Sequence, residues 1–153
     1  MSDTITLPSQ DVDTTAGTQN LAQLAQQHAF LILYFYPKDS TAGCTKQANQ
    51  FSELKQELDQ LNACIVGISR DSIKSHQNFI EKQAINFDLI SDKDEVLCKH
   101  FDVIKEKNMY GKKVFGIERS TFVFKGEKLI KAYRKVKADG HAQIVLDDLK
   151  ALL

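Results

Sequence analysis

A chain of 153 residues with 20 basic and 20 acidic side chains has no formal net charge, and 42% of it is hydrophobic. Those proportions fit a single domain over residues 1–153 with an ordinary core, and exclude a disordered chain, a collagen-like repeat and a disulfide-stapled miniprotein. The longest apolar run, Ala29–Tyr36, is far shorter than the ~20 residues of a membrane span. Met1–Gln10 lacks the basic start and apolar stretch of a signal peptide, so a cytoplasmic location is expected. Neutral charge offers no general attraction to nucleic acid or to a membrane.

In chain order, Ala29–Tyr36 (AFLILYFY) predicts a central strand, which Pro37 ends because it has no N–H for the ladder. After the loop Pro37–Gly43, apolar residues at 48, 51, 54, 58 and 61 recur at spacings of three and four and predict one amphipathic helix over Cys44–Leu61. Ala63–Ser69 predicts a second buried strand, Ser72–Gln83 a helix, Phe87–Ile90 a short strand, and Lys93–Phe101 a helix presenting Val96, Leu97 and Phe101. Ser120–Phe124 and Lys128–Tyr133 read as a hairpin about Lys125-Gly126-Glu127. The last helix spans His141–Leu153, with Ile144, Leu146, Leu149 and Leu152 apolar. Strand–helix alternation that closes with a hairpin and a helix predicts an α/β fold with a mixed sheet flanked by helices. Charge is uneven: residues 105–137 hold 11 basic and 3 acidic groups. Lys125, Lys128 and Lys131 flank apolar residues, however, as on a solvated sheet face.

Cys44 falls just after a strand and loop, at the start of a helix, where free N–H groups and the helix dipole favour an anion. A thiolate placed there is a strong nucleophile. Pro37, Thr41 and Cys44 form P-x-x-x-T-x-x-C within Tyr34–Thr45 (YFYPKDSTAGCT). This segment resembles the active-site segment of the peroxiredoxins, and within them the bacterioferritin comigratory protein (Q-type) subfamily, whose version is close to FYPKDxTPGCT. Gly67–Asp71 (GISRD), Phe87–Asp92 (FDLISD), Gly111 and Gly116–Phe122 (GIERSTF) continue the likeness, and Thr6-Leu7-Pro8 looks like the family's early strand.

The resemblance implies a thioredoxin-like fold and a cofactor-free thiol peroxidase acting on hydrogen peroxide and organic hydroperoxides. It implies that the Cys44 thiolate attacks the terminal peroxide oxygen and becomes a sulfenic acid. Thr41 would hold thiolate and peroxide through its hydroxyl, and Arg119 would steady negative charge on the breaking O–O bond. Backbone N–H groups at Gly43–Cys44 would add donors, and Pro37 would shape the pocket. Members of the group are often monomers, so a monomer is expected.

Two departures stand out. Ala42 replaces a proline common in the loop, and Asn49 occupies the position where many Q-type members carry a resolving cysteine. Of the remaining thiols, Cys64 reads as a buried core residue, whereas Cys98 is a possible resolving partner if local unwinding brings it to Cys44. The default is a one-cysteine cycle in which thioredoxin, glutaredoxin or glutathione attacks the sulfenic acid. A Cys44–Cys98 disulfide cycle, and a non-enzymatic peroxide sensor or redox-switched chaperone, stay open beside it. The four histidines form no close ligand pair with a cysteine and there is neither C-x-x-C nor a phosphate-cradling loop, so no metal or nucleotide cofactor is expected.

Overall fold

The run Phe30–Phe35 is apolar at every position because both of its faces are covered; it forms strand β3 at the centre of the sheet. The computed structural model describes residues 5–153, so the first four positions of the Met1–Gln10 stretch lie outside the described residues. Strands β1 (Asp11–Thr14) and β2 (Gly17–Asn20) and helix α1 (Leu21–Gln27) precede β3. Helices α2 (Ala42–Glu53) and α3 (Lys55–Gln60) lead to β4 (Ala63–Ser69), and α4 (Ile73–Gln83) leads to β5 (Asp88–Ser91). Then follow α5 (Val96–His100), β6 (Ile104–Met109), β7 (Lys112–Ile117), β8 (Ser120–Lys125), β9 (Lys128–Tyr133) and α6 (His141–Ala151).

Seven strands join in the order β2-β1-β5-β4-β3-β8-β9, while β6 and β7 pair as a separate hairpin. β3, β4 and β5 run parallel, as helical crossovers require, and β1 and β8 add antiparallel on either side. This mixed sheet flanked by helices is the expected thioredoxin-like architecture.

Alternate residues of β3 point to opposite faces, which creates two cores. Phe30, Ile32, Tyr34 and Tyr36 pack with Cys44, Ala48 and Phe51 of α2, Leu58 of α3, Phe79 of α4, and Val145, Leu146 and Leu149 of α6. Leu31, Leu33 and Phe35 pack on the other face with Leu21 and Ala25 of α1, Leu97 and Cys98 of α5, and Phe101.

Several expectations are corrected. The single helix Cys44–Leu61 starts two residues earlier and breaks at Leu54, whose N–H is shared between the Gln50 and Phe51 carbonyls. The bend keeps Phe51, Leu54 and Leu58 on one core. Thr6-Leu7-Pro8 forms no strand, although Leu7 is buried; the early sheet edge is the hairpin β1–β2, whose short polar strands lack an apolar pattern. α5 is shorter than Lys93–Phe101, beginning after Glu95, which takes a left-handed conformation. Val96, Ile144 and Leu152 are exposed; α6 buries Ala142, Val145, Leu146 and Leu149 instead. Lys125 and Lys128 are exposed, as a solvated face requires, whereas Lys131 is half-buried.

Candidate active site

Tyr36 N–H still donates to the Ile68 carbonyl at 3.0 Å, one residue beyond β3; Pro37 then ends the ladder. The chain turns through Lys38–Ser40 and enters α2 at Thr41, the N-cap position. Cys44 is the third helical residue and is only 1% exposed. The register Phe35↔Ser120 between β3 and β8 delivers Arg119, one residue before β8, to the sheet end where this loop leaves. Arg119 Nη2 donates to Cys44 Sγ at 3.4 Å.

Gln47, which the motif reading did not select, completes the arrangement. It is fully buried, one helical turn after Cys44, and its Oε1 accepts from Arg119 Nη1 at 2.6 Å. The two nitrogens of one planar guanidinium are thereby divided between the glutamine and the sulfur, which fixes the fork's orientation. Gln47 sits on the same apolar stripe as Ala48 and Phe51, and a polar residue on a core face was the available signal. Gly43 explains how the arginine gets so close: a Cβ there would lie 3.3 Å from Arg119 Nη2.

The remaining candidates are placed as follows. Pro37 is half-buried at the start of the loop. Thr41 is exposed, and its hydroxyl donates to the Lys38 carbonyl at 3.0 Å rather than to the helix or the sulfur. Asn49 lies half-buried on α2. Cys44, Cys64 and Cys98 are free thiols. Cys98 belongs to the core on the opposite face of the sheet from Cys44. Its backbone N–H and that of Leu97 are capped by Asp92 at 2.8 and 3.0 Å, and burial, with the Asp92 carboxylate second, holds its thiol well above the usual range. Cys64 corrects the core expectation, being half-buried on β4; burial pushes its thiol up to about 11.

Two further titratable groups adjoin the site. Tyr34 is buried beneath it, stacked on Tyr36 and tilted against Phe51; burial first, and then the Cys44 and Asp39 charges, push its hydroxyl well above the usual range. His141, at the first position of α6, meets Thr121 Oγ1 at 2.8 Å; burial, with the Arg119 charge second, lowers it to about 4. The imidazole therefore stays neutral near Arg119 and adds no competing cation. A buried sulfur at a helix N-terminus, with a clamped guanidinium on it, suits attack on a small electrophile that accumulates negative charge as it breaks.

The AhpC/TSA family model matches residues 3–133. Peroxiredoxin Bcp of Xanthomonas campestris is 55% identical over 138 residues, which cover 90% of this chain and 86% of that protein. Peroxiredoxin Bcp of Bacillus subtilis is 44% identical over 122 residues, 79% of this chain and 78% of that one. A structure of the X. campestris bacterioferritin comigratory protein, described for its alkyl peroxide reduction activity, superposes with a TM-score of 0.89 at 50% identity, over 98% of this chain and 99% of that one.

Proposed function

Because the chain belongs to the AhpC/TSA family, as a thioredoxin-fold peroxiredoxin of the bacterioferritin comigratory (Q) type, we propose that Cys44 is its peroxidatic residue in a one-cysteine cycle. Peroxiredoxins of this kind are oxidoreductases that reduce peroxides at the expense of thiols, and this chain is such an enzyme. The observation that carries the assignment to Cys44 is the Arg119–Cys44 contact at the N-terminus of α2.

In the proposed reaction the Cys44 thiolate attacks the terminal oxygen of a hydroperoxide. The S–O bond forms as the O–O bond breaks, the sulfur loses two electrons, and the leaving hydroxide or alkoxide takes a proton to become water or alcohol. Arg119 faces the charge that develops on the peroxide, and Gln47 holds Arg119 in place. Pro37 shapes the loop, and Thr41, after rotating from the Lys38 carbonyl, offers a hydroxyl to the incoming peroxide. Hydrogen peroxide and organic hydroperoxides are the proposed substrates; the alkyl peroxide activity described for the X. campestris protein supports the second class.

The sulfenic acid is then attacked by an external thiol, releasing water and leaving a mixed disulfide. A second thiol resolves that disulfide and returns Cys44 to the thiol. Thioredoxin, glutaredoxin and glutathione are the proposed reductants. Two facts favour this cycle over a Cys44–Cys98 disulfide: Asn49 offers no sulfur, and Cys98 sits across the sheet with its thiol held protonated. Non-reducing peptide mapping after one equivalent of peroxide tests the choice, since a 44–98 disulfide would overturn the one-cysteine cycle. Cys44→Ser is expected to reduce peroxide turnover to background and Cys64→Ser to leave it intact. A single stoichiometric oxidation with no sustained turnover would mark a sensor instead.

A further inference from the structure

Beneath the Cys44 loop lies a buried polar cluster that peroxide chemistry does not touch. Asp39, two residues after Pro37, is buried, and its Oδ1 accepts from the Tyr36 hydroxyl at 2.6 Å. Its Oδ2 accepts from Ser75 Oγ at 2.8 Å and faces His76 Nδ1 at 2.7 Å. The Asp39 N–H donates to Asp71 Oδ2 at 2.9 Å, and the same oxygen accepts from Ser69 Oγ at 2.6 Å. His76 is fully buried, and its other ring nitrogen lies 2.9 Å from the Ile90 carbonyl of β5.

The Ile90 carbonyl has no proton to give, so His76 Nε2 donates to it. At the other nitrogen one proton is shared between Nδ1 and Asp39 Oδ2, which also accepts from Ser75. Asp71 and the Tyr36 hydroxyl, the latter 3.4 Å from Nδ1, lie beside this pair. Asp39, Asp71 and His76 bring one ligand atom each within 4.8 Å of one another, but both ring nitrogens are already taken up by these hydrogen bonds, which leaves the ring no free lone pair for a metal ion.

A buried polar cluster of this kind is a weak source of stability, so its use lies in selecting one conformation. What it selects here is the loop. The cluster ties the end of β3, the loop, the start of α4 and β5 together immediately ahead of the first turn of α2. Cys44, at 1% exposure, can meet a small peroxide at its edge, whereas a larger thiol needs that turn to move away.

We propose that His76 is a positioning residue: its ring, hydrogen-bonded at both nitrogens, latches Asp39, holding the 37–41 loop and the start of α2 closed so that Arg119 meets Cys44, and release of the latch opens Cys44 to the reducing thiol. This rests on Cys44 as the peroxide-reactive sulfur, but the latch itself is read independently, by the rate at which iodoacetamide alkylates Cys44 in the reduced protein. In His76→Leu, alkylation is expected to rise about tenfold or more and kcat/KM for hydrogen peroxide to fall by a similar factor, in protein shown by urea titration to be folded. His76→Asn, whose amide nitrogen can replace Nδ1 toward Asp39, is expected to recover most of both. If His76→Leu does not fold, Ser75→Ala, which removes one donor to Asp39, carries the test with a smaller effect in the same direction. Unchanged alkylation and peroxide rates in a folded variant would overturn the latch, as would an Asn variant no better than Leu. Peroxide turnover retained by Cys44→Ser would instead overturn the assignment of Cys44 and leave the latch standing.

Discussion

Arg119 divides its guanidinium between Cys44 and Gln47, so the cation's aim depends on a neutral side chain. Gln47 is buried with no hydrogen-bond partner on its Nε2, an arrangement that costs on the order of 1–3 kcal/mol. Gln47→Leu is accordingly expected to leave urea stability unchanged or higher while lowering kcat/KM for peroxide about tenfold, since the charged hydrogen bond that orients Arg119 is lost. Arg119→Ala removes the cation itself and is expected to cost about 10²-fold or more in the same assay. Gly43→Ala tests the close approach from the other side. Its Cβ would crowd Arg119 Nη2 at 3.3 Å, so peroxide reduction should slow without loss of fold, as circular dichroism would check. The Pro37, Thr41, Cys44 and Arg119 candidates were legible because their residue types and spacing match a known segment. Gln47 was not, because a glutamine three residues after a cysteine announces nothing until a guanidinium is seen against it.

At the scale of elements, β4 shows how the site is supported from below. Gly67 pairs with Tyr34 across β3 and β4, and a Cβ on it would fall 2.7 Å from Leu89 and 2.9 Å from the Tyr34 ring. Glycine therefore makes room for the tyrosine that packs at a tilt against Phe51 under α2. Gly67→Ala is expected to destabilise the protein by about 1–3 kcal/mol in urea unfolding, because overpacking a full core displaces rings or backbone. The α4 segment was legible as a helix without a long apolar pattern, and apolar patterning marked β3, β4, the β8–β9 hairpin and α6. It did not reveal β1, β2 or the β6–β7 hairpin, where polar and charged residues fill strands stabilised by pairing more than by burial. The Leu54 break was also hidden, since the apolar spacing runs straight through it.

For the molecule as a whole, the sheet separates the thiols: Cys44 faces one core and Cys98 the other. It also makes one buried histidine a source of acid sensitivity. His141 has a folded value near 4 against 6.5 for the free side chain, so it contributes stability above about pH 6.5 that is lost as the pH falls through that value toward 4. The loss is at most about 3 kcal/mol. Urea midpoints measured from pH 7 to 4 should fall less steeply in His141→Gln than in the parent; parallel profiles would dismiss the assignment. The sequence by itself determined the class of fold and the strand and helix that carry Cys44, because local patterning is a property of short segments, and its resemblance to the peroxiredoxin segments singled out Arg119 as the charged residue expected to meet the sulfur. Only the tertiary structure decided that Gln47 clamps Arg119, that Cys98 lies across the sheet and that His76 closes on Asp39. The Gln47–Arg119 and Asp39–His76 contacts join residues 72 and 37 positions apart, and their geometry is set by sheet register and helix packing.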